Sequence, residues 1–388
     1  MSPSLAFRVL GPLASAWLLL ASPAPAAAQE VPVAETSNEP SADPAVATPD
    51  ADQATSKAKE AARGRWLLVP YPITDPALGN GVLGGLVRLR AGPPAAAGPS
   101  RPQAYGVGAL WTDGGSTGLI AADHRAWKGG TWRTTALAGD VELHFDYSGI
   151  RPGQDDDVGF IIQAQGGSLA AERVLGGGPN TLKLNVFSAQ ADVSFEEVPP
   201  PEAVEDIGSS TLAGVTLGWT RDTRDDVFLP ARGTALAAEM TVMPEVLGAS
   251  FDSQSVALKA THYRPLGHGV LGLRAKSNFS FGDPPFYLRP FVSFRGVAAL
   301  RYPGETVASL EAEYRHPIRG QWHALVFAGS GRARSDFRGI DVNKTVSAGG
   351  VGVRYRAAKL FGLTLGVDAA QGPDGLVTYI QIGNTWTN

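Results

Sequence analysis

From Trp66 to the C-terminus this chain is written in short period-2 segments, and no stretch there holds a helical period. The segments are separated by clusters of Gly, Pro, Asp and Asn. In 307–318, Ser309, Glu311, Glu313 and Arg315 share one face, and Ala308, Leu310, Ala312 and Tyr314 the other. Leu271, Leu273, Ala275, Phe279 and Phe281 oppose Arg274, Lys276 and Asn278. Val351, Val353 and Tyr355 oppose Arg354 and Arg356, and Leu137, Val141, Leu143 and Phe145 oppose Asp140, Glu142 and His144. Such strands suit a soluble sandwich, with the apolar face on a core, or a membrane barrel, with the apolar face on lipid. The pattern continues through Tyr379, Ile380, Ile382 and Trp386, with no helical segment to cover a sheet. A closed barrel leaves no unpaired edge, which lipid would not tolerate.

Composition narrows the choice. Charged residues are 18 % of the chain, below the ~25 % of ordinary soluble domains. Apolar residues are 44 %, and the runs of about 20 that helical spanning requires are missing. There is no Cys, which excludes disulfides, thiolate metal sites and Cys nucleophiles. A net charge of −4 gives no basic footprint for nucleic acid.

The first residues read as a secretory signal. Arg8 supplies the positive region, Val9 to Ala21 the apolar region, and Ala26-Ala27-Ala28 a small-residue cleavage site before Gln29. The signal peptide is therefore expected over 1–28. Residues 29–65 are rich in Ala, Pro, Asp, Glu, Ser and Thr and lack aromatics. Such a segment buries too little apolar surface to offset its ordering entropy, so a disordered periplasmic linker is expected. The barrel is expected over 66–388.

Sixteen strands are predicted: 66–73, 81–91, 103–112, 117–127, 131–145, 158–173, 180–195, 210–221, 233–245, 252–265, 270–281, 307–318, 322–331, 344–356, 360–370 and 376–386. The number is even, as bacterial barrels require. Tight joints at Lys128-Gly129-Gly130 and Leu266-Gly267-His268 read as periplasmic turns. Long connections at 146–157, 196–209 and 282–306 read as extracellular loops. Trp127, Trp132, Trp219, Trp322 and Trp386 fall near strand ends, where aromatic girdles belong.

Three stretches resemble the BamA/TamA outer-membrane proteins, the bacterial surface antigen family. Gly218-Trp219-Thr220-Arg221-Asp222-Thr223-Arg224-Asp225, followed by Pro230 and Gly233, resembles the family's D-x-R-D…P-x-x-G turn. Phe294-Arg295-Gly296-Val297 resembles its sixth-loop Arg-Gly motif. Glu313-Tyr314-Arg315-His316-Pro317-Ile318 resembles the strand after that loop. Val69-Pro70-Tyr71-Pro72 with Gly79 and Gly81 is similar to members that start directly at the barrel. The resemblance implies a loop folded into the lumen, with Arg295 paired to an acid on the wall. By parity Glu313 is the partner. Two departures stand out. Phe327-Ala328-Gly329-Ser330-Gly331 replaces the family's F-x-D-x-G, which puts Gly329 where a second acid is expected and implies a weaker latch. The linker leaves no room for periplasmic POTRA domains, so a member lacking them is expected.

Other motifs carry less. Gly114-Gly115-Ser116-Thr117-Gly118 matches G-x-S-x-G but lies between two predicted strands, whereas a nucleophile elbow joins a strand to a helix. Asp155-Asp156-Asp157 reads as a solvated loop tip. Arg274, Lys276, Arg354 and Arg356 are expected to pair with Glu311, Glu313 or Asp368 in a plugged lumen. No enzyme, metal or cofactor is expected. The expected partners are outer-membrane lipids and unfolded outer-membrane or surface proteins, with no nucleic acid. Two functions fit: a factor assisting insertion or translocation of such proteins, or a passive pore or structural barrel.

Overall fold

The computed structural model describes residues 65–75, 77–90, 103–147, 158–226, 229–337, 340–356, 364–382 and 386. The expected signal peptide and linker, and the Asp155-Asp156-Asp157 loop, lie outside the described residues.

The first eight strands are β1 (Arg65–Asp75), β2 (Gly79–Arg90), β3 (Gln103–Thr112), β4 (Thr117–Trp127), β5 (Trp132–Tyr147), β6 (Val158–Val174), β7 (Asn180–Phe195) and β8 (Gly208–Asp222). The second eight are β9 (Gly233–Met243), β10 (Ser253–Leu266), β11 (Gly269–Gly282), β12 (Thr306–Arg319), β13 (Trp322–Phe337), β14 (Ile340–Arg356), β15 (Thr364–Gly372) and β16 (Gly375–Ile382). Each pairs antiparallel with the next, in one sixteen-stranded sheet whose spatial order is the chain order. Alternation with turn residues at every reversal dictates this meander, and the sheet curls until β16 approaches β1. One end differs from expectation. β16 is described to Ile382, and Trp386 lies in the lumen, where it is 2 % exposed.

Register fixes which side chains face outward. The row Trp132, Arg173, Leu182, Trp219 and Ala238 crosses five strands on one face. Outward residues such as Leu119, Leu184, Leu217, Leu310, Val326 and Ile380 are exposed apolar side chains, as a lipid-facing surface requires.

The lumen has two unlike walls. On β9–β15 the inward side chains include Arg274, Glu311, Glu313, Arg315, Arg354 and Asp368, all buried. On β1–β8 the buried ones are mostly apolar, with Leu83, Val87, Leu110, Ile120, Leu143, Phe145, Phe160, Ile162 and Leu212 beside the polar Thr112, His124 and Thr216. In β5 this reverses the simple lipid-facing assignment. Leu137, Val141, Leu143 and Phe145 are buried inside, and Asp140, Glu142 and His144 lie on the outer face. The cause is strand length. β5, β6 and β7 have 16, 17 and 16 residues, and about 9–11 suffice to cross the hydrocarbon. The surplus stands above the membrane, where the outer face meets water and the inner face becomes a core. Gln163 and Asp192 continue the outer polar row from Glu142.

Between β1 and β16 no ladder is described. A hydrogen bond crosses there, from the Ile380 N–H to Thr74 Oγ1 at 3.0 Å. Pro70 and Pro72 lie two apart in β1, opposite Gly84 and Val82. Donors two residues apart point to the same side of a strand, and proline is tolerated only where no donor is needed. With β2 in unbroken register, the missing donors belong to the edge that faces β16.

Candidate functional site

Loop 283–305, between β11 and β12, enters the lumen and touches both walls. Its first part rests on the apolar side. Phe286 stacks edge-on against Phe160 at 5.2 Å and lies 5.6 Å from Phe195. The Phe286 N–H donates to Asp206 Oδ2 at 2.8 Å, and the Tyr287 hydroxyl lies 2.8 Å from Ser210 Oγ. Burial pushes the Tyr287 hydroxyl up to about 12, so it stays protonated as a hydrogen-bonding group at neutral pH. The loop is then pinched by the Val292 N–H to Tyr302 carbonyl bond at 3.0 Å.

The tip is the Phe294-Arg295-Gly296-Val297 turn, closed by the Val297 N–H to the Phe294 carbonyl at 3.1 Å. Gly296 has φ +90, and a Cβ there would lie 2.8 Å from the Ala348 Cβ. Only glycine satisfies both the left-handed backbone and this approach to the wall. The Gly296 N–H donates to the Tyr379 hydroxyl at 3.0 Å, which ties the tip to β16.

Arg295 points into the ionic wall. Its Nε and Nη2 donate to Glu311 Oε1 at 2.8 and 2.6 Å. Nη2 lies 2.8 Å from Glu313 Oε2, and Nη1 donates to Asp368 Oδ2 at 3.0 Å. The guanidinium also sits over the Phe327 ring, 3.7 Å from its centroid. Arg274 reaches Glu311 Oε2 at 2.6 Å, and Arg354 reaches Asp368 Oδ2 at 2.7 Å. Three guanidiniums thus meet three carboxylates, Glu311, Glu313 and Asp368. Buried charges need this compensation, because removing one partner leaves the others stranded. The Gly329 departure does not leave Arg295 short of acids. A Cβ at Gly329 would lie 2.9 Å from the Phe294 ring, so the position makes room for the loop while Glu311 and Asp368 supply further carboxylates. Lys276 Nζ donates to the Ser293 carbonyl at 3.1 Å, and Arg356 pairs with Asp226 at 2.6 Å.

Trp386 completes the cluster. Its indole N–H donates to Glu311 Oε1 at 3.1 Å, on the oxygen that Arg295 uses. The ring lies 5.8 Å from Tyr263, with the Arg274 guanidinium 5.4 Å away. Gly272 makes the room, since a Cβ there would lie 2.7 Å from Trp386 Cζ3. Sequence reasoning placed Trp386 in a girdle. The one signal against that was a glycine on the inward row of β11, which marks space for a neighbour.

The turn motif lies at the other end of the ionic wall, where Arg315 and Arg356 reach it. Asp222 accepts from Arg224 through Oδ1 at 2.9 Å and Oδ2 at 2.7 Å. Asp225 Oδ1 accepts the Ala231 and Arg232 N–H groups at 2.9 and 3.2 Å. Gly233 has φ +109 against the Thr223 carbonyl. Pro230 is buried, and its carbonyl accepts from Arg315 on β12. The periplasmic turn is therefore held under the barrel by the ionic wall. Ser116 of the G-x-S-x-G match sits in the β3–β4 turn, where its hydroxyl accepts the His144 backbone N–H at 3.0 Å.

Residues 144–295 match the Omp85 superfamily domain. No curated protein matches the sequence. Among solved structures, BamA from Haemophilus ducreyi lacking POTRA domains 1-3 is 12 % identical, with a TM-score of 0.59, over 85 % of this chain and 76 % of that one. CdiB from Escherichia coli is 12 % identical, with a TM-score of 0.58, over 84 % of this chain and 69 % of that one. CdiB from Acinetobacter baumannii is 12 % identical, with a TM-score of 0.54, over 82 % of this chain and 59 % of that one. At these identities the likeness is one of fold.

Proposed function

With residues 144–295 matching the Omp85 superfamily domain and the chain a bacterial outer-membrane barrel, we propose that it assists the insertion or translocation of outer-membrane or surface proteins, and that the β1–β16 seam is its working edge. The observation that carries this reading is the seam itself. Fifteen neighbouring strand pairs form ladders, whereas β1 and β16 share no described ladder. Pro70 and Pro72 lower the pairing capacity of the β1 edge further. An edge with free carbonyls and few donors suits transient pairing with an incoming β-strand. The chain acts by binding and guiding, not as an enzyme. The passive-pore reading requires an open lumen, which loop 283–305 and Trp386 enter.

A disulfide across the seam tests this. The chain has no Cys, so Thr74→Cys with Ile380→Cys gives one defined pair, next to the hydrogen bond that already joins them. Oxidised cells should lose client proteins from the outer membrane, and reductant should restore them. An unchanged outer-membrane protein profile with the seam fully crosslinked would remove the reading.

A further inference from the structure

A groove of about 710 Å³ opens on the outer face of β5–β10, at the end of the barrel that carries the short turns. Register explains its shape. The row nearest the turns runs Trp132, Arg173, Leu182, Trp219, Ala238. The next row runs through Leu184, Leu217 and Met240. Two indoles thus bracket a bed of aliphatic side chains, and the residues between them are smaller.

The polar end of the groove is cationic. Arg173 is exposed and holds its guanidinium 5.4 Å from the centroid of the Trp132 ring. Arg221 is exposed on the same face, one outward position beyond Trp219 toward the turn. Neither has a carboxylate partner among the described residues, whereas the outward Arg125 is held by Asp123 at 2.7 Å. Glu239 backs the groove from the inner face of β9, where its carboxylate is tied to Lys183 at 3.1 Å. Arg173 and Arg221 stand on strands separated only by β7. Adjacent strands lie about 4.8 Å apart and same-face residues about 6.8 Å apart along a strand. Two arginine side chains at that spacing can close on one phosphate, which guanidinium groups recognise with paired hydrogen bonds.

Loop length sets the level of the groove. The connections next to it, 128–131 and 175–179, are short, and such turns face the periplasm in outer-membrane barrels. The cationic end therefore lies at headgroup depth of the periplasmic leaflet, with the apolar bed at acyl depth.

We propose that this groove is a binding site for an anionic glycerophospholipid of the periplasmic leaflet. Arg173 and Arg221 hold the phosphate, the Trp132 and Trp219 rings flank the glycerol region, and an acyl chain lies along Leu184, Leu217 and Met240. The site is separate from the seam and from the lumen, so it stands whether or not the seam receives client strands.

Tryptophan quenching by brominated lipids in neutral detergent tests it on the full chain. Dibrominated phosphatidylglycerol should reach its quenching plateau at a several-fold lower mole fraction than dibrominated phosphatidylcholine. The Arg173→Gln, Arg221→Gln double variant should lose that difference and keep the phosphatidylcholine curve. Trp132→Phe with Trp219→Phe should remove the selective component of the quench. Arg264→Gln, an exposed arginine outside the groove, should keep the preference. Heat-modifiable gel migration checks that each variant is folded. Superimposed curves for the two lipids in the unaltered chain would overturn the proposal. So would a preference that survives loss of both arginines, or selective quenching by a lipid A analogue with phosphatidylglycerol no better than phosphatidylcholine.

Discussion

The two walls of the lumen hold the same loop by different physics. On β5–β8 the contact is shape: Phe160, Phe195 and Phe286 meet as rings, and burial supplies the free energy. On β11–β15 the contact is charge: Arg295 sits among Glu311, Glu313 and Asp368 with few alternative arrangements. A shape contact tolerates another apolar side chain of similar volume. A buried charge cluster tolerates little, because each member compensates the others. The loop is thus set down broadly on one side and fixed in register on the other.

That contrast can be broken by substitution. Arg295→Ala should have the largest effect, since it removes the cation that three buried carboxylates share and takes from Glu313 its ion-pair partner. A loss of about 3–5 kcal/mol in loop docking is expected, read as proteolysis between 286 and 304 in folded barrels. Phe160→Ala should follow at about 3 kcal/mol through cavity formation, with Phe160→Leu costing well under half of that. If Phe160→Leu proves as damaging as Arg295→Ala, the apolar wall is not the tolerant one. Among the acids, Glu311→Gln should cost more than Glu313→Gln, because Glu311 receives Arg274, Arg295 and Trp386 together. Trp386→Phe keeps the ring and loses one charge-assisted hydrogen bond, at about 1.5–3 kcal/mol. Its cost in thermal stability should shrink when Glu311→Gln is already present, as coupled residues require. The smallest effect is expected at Arg301, which pairs with Asp374 at 3.2 Å on a half-exposed rim. Arg301→Gln should change stability by about 0–1 kcal/mol, and less in high salt.

Much of this was legible in the sequence, for reasons specific to β-barrels. Strands 103–112, 117–127 and 180–195 appear with the predicted bounds because turn residues flank a clean alternation. Alternation reveals that two faces differ and not which face is inside. Leu143 and Glu142 therefore took their sides only from the length of β5, which carries them above the membrane. Glu311 and Asp368 were visible as inward acids, but three-way sharing of Arg295 depends on how deep the loop tip sits, and local pattern does not encode that. The Pro230 carbonyl under Arg315 was hidden for the same reason: a backbone acceptor leaves no residue-type signal. Trp386 was misplaced because a terminal aromatic after an alternating strand has the look of a girdle residue. Its real partners, Tyr263 and Gly272, lie on β10 and β11 rather than on the adjacent strands.

The most direct test of the seam as the working edge is photocrosslinking in cells that are synthesising outer-membrane proteins. A photoreactive residue at Pro72 or Ile380, on the two sides of the seam, should give adducts with newly made outer-membrane or surface proteins. The same residue at Leu310, equally apolar and 59 % exposed on the lipid face of β12, should give none above background. Equal adduct yields at Leu310 and at the seam, or none at the seam while those proteins are being made, would contradict the assignment of β1 and β16 as the edge that receives them.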